Sequence, residues 1–132
     1  MREILFRGKD AESGFWCYGD LSFDREGNPH IRFWAHSGYL VREVDPETVG
    51  QFTGFYDKGS KRIFEGDILR SRYDEDNPDD VSYELVQWEG NGWYSGKWNI
   101  EDDLRQDMLS EYSELAGNIH DNPELMEVED NG

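Results

Sequence analysis

The sequence predicts a mainly β fold, in which small SH3-like barrel elements pack into one body and one short helix lies near the carboxyl end. Three observations lead to this prediction. Short apolar and aromatic runs recur along the chain, turns rich in glycine, aspartate and proline separate them at short intervals, and helical periodicity occurs only near the carboxyl end. Short strands with such turns are typical of a β-meander that closes into a barrel.

Residues 1–48 are predicted to form an amino-terminal β-meander. Its strands are each followed by a turn signal, and the second bends at Gly19-Asp20: Arg2–Arg7, Phe15–Phe23, His30–His36 and Tyr39–Val44. Gly8-Lys9-Asp10 ends the first of them. Asp45 as N-cap and Pro46 at the first helical position then predict a single helical turn.

The rest of the chain is organised around residues 49–70, V-G-Q-F-T-G-F-Y-D-K-G-S-K-R-I-F-E-G-D-I-L-R. Tyr56–Lys61 has the composition of a tight turn, because aspartate accepts local backbone hydrogen bonds and glycine adopts positive φ. The chain therefore folds back between Gln51–Thr53 and Arg62–Phe64. Gly66 is typical of a bulge or a close backbone approach. We interpret residues 49–70 as a β ribbon that connects the two parts of the body.

Residues 68–126 are predicted to form an SH3-like barrel half. After the strand that starts at Ile68, the acidic loop Asp74–Asp80 remains solvated. The next strand alternates with period two, which places three side chains on one side: Val81, Tyr83 and Leu85. A turn at Glu89–Gly92 then leads into Trp93–Trp98.

One helix is predicted at about residues 101–116. Asn99 can cap it and Gly117 can end it in the left-handed conformation. Its apolar side chains recur at helical spacing and would pack on the sheet: Leu104, Met108, Tyr112 and Leu115. A last extended piece is expected at residues 118–120.

Three segments resemble the YopX family of phage and prophage proteins, and they occur in the family's order. They are R-E-I-L-F-R at Arg2–Arg7, Q-F-T-G-x-x-D-K-x-x-K-x-I-x-E-G-D-I at residues 51–68, and G-N-I-H-D-N-P-E-L at Gly117–Leu125. The segments Asp20–Val44 and Ser71–Ser113 match nothing obvious. The resemblance implies a small β-rich protein of bacteriophage genomes without an assigned activity, and it supplies no catalytic residues.

The length of 132 residues fits one domain. Cys17 is the single cysteine, which rules out an intramolecular disulfide and favours a reducing compartment. No signal-peptide h-region or membrane-length apolar stretch occurs in the sequence. We therefore expect a protein of the bacterial host cytoplasm that binds no membrane.

The net charge of −17 belongs mostly to the second half of the chain. Residues 1–70 carry 10 basic and 12 acidic side chains, whereas residues 71–132 carry 3 and 18. Affinity for a nucleic acid depends largely on basic side chains that displace counterions from phosphates. Direct nucleic-acid binding is therefore disfavoured.

Candidate catalytic and metal-binding residues have simpler interpretations. His30 and His36 would share a face of an uninterrupted strand and, with a carboxylate, could form a zinc site, but solvent-facing positions are favoured. The loop Asp74–Asp80 has Pro78 where an EF-hand needs its third ligand. Cys17 lies between aromatic residues and is expected to be buried and inert. We therefore predict no enzyme activity, no cofactor and no metal.

The five Trp, seven Tyr and seven Phe exceed what a small barrel needs for its core. Some of them must lie near the surface, where Trp and Tyr anchor protein interfaces. The predicted interaction surface comprises Trp88, Trp93, Tyr94 and Trp98. The sequence thus favours a protein-binding or self-assembling module, with a homo-oligomer as one outcome. The alternative is an acidic decoy that mimics a nucleic acid and binds a host nucleic-acid-binding protein.

Overall fold

The computed structural model describes residues 4–74, 76–77, 79–101 and 103–127, with backbone only for residues 103–105. The strands are β1 (Phe6–Lys9), β2 (Trp16–Phe23), β3 (Pro29–Ala35), β4 (Gly38–Glu43), β5 (Gly50–Tyr56), β6 (Arg62–Phe64), β7 (Asp67–Ser71), β8 (Ser82–Trp88), β9 (Trp93–Ser95), β10 (Trp98–Asn99) and β11 (Ser113–Asn118). The helices are α1 (Asp103–Tyr112) and α2 (Glu124–Glu127), and a 3-10 turn covers Pro46–Thr48. Two compact units divide the chain, Met1–Phe52 and Thr53–Gly132, so the boundary falls within β5 and within the predicted ribbon.

The first unit contains antiparallel strands in the order β4-β3-β2-β1, with the first residues of β5 paired to β1. An isolated bridge joins Asp10 to Val44. Period-two alternation in β3 turns Ile31 inward, where it is fully buried with Cys17 and Val44. Four half-buried or partly buried apolar side chains pack around this cluster: Phe6, Leu21, Phe33 and Val49.

The predicted first strand, Arg2–Arg7, overlaps β1 at Phe6 and Arg7, while Arg2 and Glu3 lie outside the described residues. β1 begins at Phe6 and includes Gly8 and Lys9, which had been expected to end it. Gly8 and Lys9 pair with Cys17 and Trp16, the first residues of β2, so β1 continues as far as its partner strand does. The predicted helical turn is confirmed, since Asp45 Oδ1 accepts the Glu47 N–H at 3.0 Å ahead of Pro46.

The second unit contains the end of β5, β6, and a second antiparallel sheet in the order β10-β9-β8-β7-β11. Thr53 Oγ1 donates to the Ile63 carbonyl at 2.8 Å, across the predicted hairpin. Gly66 has φ 91° between β6 and β7, as its predicted bulge-like role requires. The core of this unit comprises Phe55, Ile63, Leu69, Val86, Trp93, Ile100 and Leu109, with Leu115 packed against it.

The predicted helix is too long at its carboxyl end. Helix α1 ends at Tyr112, and Ser113–Asn118 forms β11, which pairs with β7. Leu115 therefore reaches the core from a strand, and Gly117 lies inside β11 rather than ending a helix. The edge of β7 offers backbone hydrogen bonds that helical periodicity cannot reveal. The side chain of Leu104 lies outside the described residues.

The fold is mainly β, with antiparallel sheets and a short helix, as predicted. Among the described residues the sheets do not form a closed barrel, so the SH3-like detail is not confirmed. In β8 the core-facing residues are Glu84 and Val86, opposite to the side that carries Tyr83 and Leu85. Neither helix in the described part of the chain has the length and apolar character needed to cross a bilayer.

Candidate interaction site

The four aromatic residues of the predicted interaction surface lie on β8, β9 and β10. By register, Trp88 is opposite Trp93, and Trp98 is opposite Ser95, which places the three tryptophans on one face and Tyr94 on the other. Trp93 is only 5% exposed and belongs to the core. Trp88 packs against it edge to face, with ring centroids 5.2 Å apart. Trp88 and Trp98 thus remain the exposed members of this predicted surface.

A second group of exposed aromatic and apolar side chains lies on the hairpin of β3 and β4. We define the hairpin surface as Trp34, Tyr39, Leu40 and Val41, which are 62%, 60%, 42% and 53% exposed. The turn His36-Ser37 places Trp34 directly opposite Tyr39. This surface was not predicted from the sequence, although two aromatic residues that flank a short turn are a signal for a cross-strand pair.

Tyr39 is held between two neighbours on one face of the hairpin. Its ring meets Trp34 edge to face at 5.0 Å, and the Arg32 guanidinium carbon lies 4.6 Å from its centroid. Aromatic pairs and cation-π contacts of this geometry restrict side-chain motion. The ring is therefore already ordered before any partner binds, which lowers the entropy cost of binding.

Strand β4 also forms the edge of the first unit's sheet. The Glu43 carbonyl accepts the Ala11 N–H at 2.9 Å, so the backbone groups of Glu43 face away from β3. Backbone groups in a strand alternate in direction, and those of Tyr39 and Val41 therefore face outward as well. The hairpin surface thus combines exposed apolar side chains with a strand edge that can pair with another strand.

In the second unit, Asp57 organises the turn of the β5–β6 hairpin. It is 5% exposed, and its Oδ1 accepts the N–H groups of Gly59 and Lys61, both at 2.8 Å. Its Oδ2 accepts the Leu115 N–H at 2.9 Å. One buried carboxylate therefore satisfies three backbone donors and fixes the turn against the start of β11.

A polar pocket of about 260 Å³ opens beside this turn, and it is lined by Lys58, Arg70, Arg72, Glu111, Tyr112 and Glu114. The β7–β11 register places Arg70 opposite Glu114, with Nη1 to Oε1 at 3.1 Å. Among the described residues, the Arg72 Nε is enclosed and lacks a hydrogen-bond partner. The pocket thus brings three cationic side chains together with two carboxylates.

Residues 5–127 match the family described as YopX protein. The chain belongs to the YopX family. The crystal structure of protein EF1440 from Enterococcus faecalis has a similar fold, with a TM-score of 0.63, 19% sequence identity, and coverage of 96% of this chain and 99% of that chain. No curated protein matches the chain.

The residues that carry the likeness to the YopX family have structural roles here. Asp57 fixes the turn as described, and Gly54 and Gly66 both have φ 91°. Asp67 is buried and its Oδ2 accepts the Phe64 N–H at 2.7 Å, across the turn between β6 and β7. Asp57, Gly66 and Asp67 of the family pattern thus stabilise turns of the fold, whereas Lys58 lines the polar pocket.

The other candidate residues occupy ordinary positions. His36 lies in the turn with φ 55°, so the uninterrupted strand that would align it with His30 does not exist. Cys17 is buried, and burial, together with the charge of Asp10, raises the pKa of its thiol. In the acidic loop, Asp74 Oδ1 accepts the Asp76 N–H at 3.0 Å, while Pro78 lies outside the described residues.

A buried hydrogen-bond network surrounds Glu84, the carboxylate that β8 turns inward. Tyr73 Oη donates to Glu84 Oε1 at 2.9 Å, and the Oγ atoms of Ser71 and Ser113 lie 2.6 Å apart nearby. Burial raises the pKa of Tyr73 above its ordinary value of 10.0, and the Glu84 charge raises it further. The hydroxyl therefore stays protonated and serves as a donor.

This network predicts a loss of stability in alkali. The unfolded chain releases the Tyr73 proton near its ordinary pKa, whereas the folded chain holds it to higher pH, so the free energy of unfolding falls as pH rises above 10.0. Tyr73→Phe should flatten this fall and cost about 1 kcal/mol at neutral pH through the lost hydrogen bond. Urea unfolding between about pH 8 and about pH 11 measures both effects. An equally steep fall in the wild type and in Tyr73→Phe would contradict this role of Tyr73.

Proposed function

We propose that this YopX protein is a non-enzymatic interaction module of phage or prophage origin that acts in the host cytoplasm and self-associates through the hairpin surface. The exposure of Trp34, Tyr39, Leu40 and Val41 carries the proposal. Exposed apolar clusters of this kind are typical of protein interfaces. Trp and Tyr contribute large contact areas at low entropy cost.

The geometry of β4 suits a second copy of the chain. Two β4 strands can pair antiparallel through their outward-facing edges, with Leu40 at the centre. Tyr39 of each copy would then lie opposite Val41 of the other. This register brings apolar side chains together and pairs the backbone groups that the edge leaves exposed.

The acidic decoy is less well supported than the interaction module. A decoy needs a continuous row of unpaired carboxylates, as along a phosphate backbone. In the described part of the chain, Glu114 is paired with Arg70, and Lys58 and Arg72 lie beside Glu111 in the same pocket. Cations thus interrupt the acidic surface at this point.

Size-exclusion chromatography with light scattering over a concentration series tests the proposal. The wild-type chain should approach twice its 15.5 kDa mass as concentration rises. The double variant Trp34→Ser, Val41→Lys should remain a monomer, because it removes an aromatic anchor and places a charge at the strand edge.

Trp88→Ser is the matched control, since it removes an equally large exposed aromatic from the surface predicted from sequence. It should dimerise like the wild type. Loss of the dimer in Trp88→Ser, but not in the double variant Trp34→Ser, Val41→Lys, would show that the interface lies on β8–β10. A wild-type mass of 15.5 kDa at every concentration would overturn self-association.

A further inference from the structure

Three potential metal ligands converge in the first unit, away from the hairpin tip. Asp24 lies in the turn before β3, His30 lies on β3, and Glu43 ends β4. One ligand atom from each lies within 4.8 Å of the other two, and His30 Nε2 is 3.9 Å from Glu43 Oε1. The β3–β4 register explains the convergence, because His30 and Glu43 are direct cross-strand partners.

The Asn28 carbonyl determines which nitrogen of His30 can bind a metal. It lies 3.1 Å from Nδ1 and can only accept a hydrogen bond, so in the neutral ring Nδ1 carries the proton. The lone pair is then on Nε2, the atom that faces Glu43. A metal-binding histidine commonly donates its other N–H to a backbone carbonyl in this way.

Asp24 is fixed by the same turn. Its Oδ1 accepts the N–H groups of Glu26 and Asn28, both at 2.9 Å, and its own N–H donates to the Asn28 carbonyl at 3.0 Å. Asn28 thus holds both Asp24 and His30 in place, with one carboxylate oxygen of Asp24 within 4.8 Å of the ligand atoms of His30 and Glu43.

We propose that Asp24, His30 and Glu43 form a binding site for a divalent transition-metal ion, for which Zn²⁺ is the probe. Zinc binds imidazole nitrogen and carboxylate oxygen at about 2.0–2.2 Å, so two ligand atoms must approach to about 3–4 Å. His30 and Glu43 already meet this requirement, and the exposed Glu43 and Asp24 side chains can close the remaining gap. Water completes the coordination of such an open site.

The ligand set distinguishes this metal from the hard cations. Mg²⁺ and Ca²⁺ prefer oxygen ligands, whereas imidazole favours zinc and its neighbours. The ion would join the turn before β3 to the end of β4, so its binding should stabilise the folded first unit.

Titration calorimetry with ZnCl₂ tests the site, on the untagged full chain freed of metal by a chelator and kept in excess Mg²⁺ to occupy unspecific carboxylates. We expect one Zn²⁺ per chain and a rise in melting temperature with Zn²⁺. Both should be lost in His30→Ala. Glu43→Gln and Asp24→Asn should each weaken binding by about tenfold or more.

His36→Ala is the matched control, because His36 lies in the turn of the same hairpin and outside the cluster. It should bind Zn²⁺ like the wild type. Equal binding in His30→Ala and wild type, or equal loss in His36→Ala, would overturn the site. If Asp24→Asn does not fold, Glu43→Gln decides the matter, since unchanged affinity in that variant would also exclude the proposed ligand set.

Discussion

Asp57→Ala is expected to lower the free energy of unfolding by about 3 kcal/mol, because three backbone N–H groups lose their charged acceptor. The N–H groups of Gly59 and Lys61 can form hydrogen bonds to water instead, whereas the Leu115 N–H belongs to β11 and faces the hairpin turn. Urea unfolding followed by tryptophan fluorescence measures the loss. The free energy of unfolding of Asp57→Asn should lie between those of the wild type and Asp57→Ala, since the asparagine amide retains one acceptor oxygen.

Asp74→Ala provides the control for Asp57. Asp74 also accepts a backbone N–H two residues on, but at an exposed position. Its removal should change stability by no more than about 0.5 kcal/mol. If Asp57→Ala were as mild as Asp74→Ala, the carboxylate would not organise the turn, and the structural interpretation of the YopX pattern would be wrong.

Gly19→Ala should destabilise the first unit by about 3 kcal/mol, at the upper end of the usual cost of overpacking. A Cβ at this position would overlap the Arg32 carbonyl oxygen, which is backbone and cannot rotate away. Strand β2 changes its pairing at this point: Gly19 is the last residue paired with β1, opposite Phe6, and Asp20 is the first residue paired with β3, opposite Arg32. Thermal or urea unfolding detects the loss.

Gly38→Ala is the matched control within the same sheet. Gly38 lies at the start of β4, and a Cβ added there meets nothing within 4 Å. The free energy of unfolding of Gly38→Ala should stay within about 0.5 kcal/mol of that of the wild type. A comparable loss in both variants would show that glycine flexibility in strands, and not the contact with Arg32, explains the effect.

Turns were the part of this fold that the sequence predicted best, because their chemistry is local. Asp45 and Asp57 each accept backbone N–H groups two residues on, and Gly66 adopts the positive φ expected of it. In each case a short stretch of residues contains the reason for its own conformation.

Long-range strand pairing explains which elements were predicted incorrectly from the sequence. Ser113–Asn118 looked like the end of a helix, but it pairs with β7, some 42 residues earlier in the chain. The inward position of Glu84 depends on Tyr73, and the alternation of β8 alone gives no sign of that hydrogen bond. Trp88 and Trp93 are direct cross-strand partners, yet only Trp93 is buried.

The candidate sites depend on the same kind of distant contact. Tryptophan content predicted an exposed aromatic surface, and the structure leaves Trp88 and Trp98 exposed, but it adds a second surface at Trp34 and Tyr39. For the proposed metal site, the sequence suggested His30 together with His36, whereas the structure places His30 beside Asp24 and Glu43. Cross-strand register, which brings Glu43 to His30, cannot be read from the spacing of histidines.

Amide hydrogen exchange of β4 at several protein concentrations tests the proposed self-association most directly. The Tyr39 and Val41 amides face the free edge, whereas the Leu40 amide faces β3 and is an internal reference. We predict that exchange at Tyr39 and Val41 slows as concentration rises, while exchange at Leu40 stays slow throughout. Fast exchange at Tyr39 and Val41 at every concentration would contradict pairing through β4.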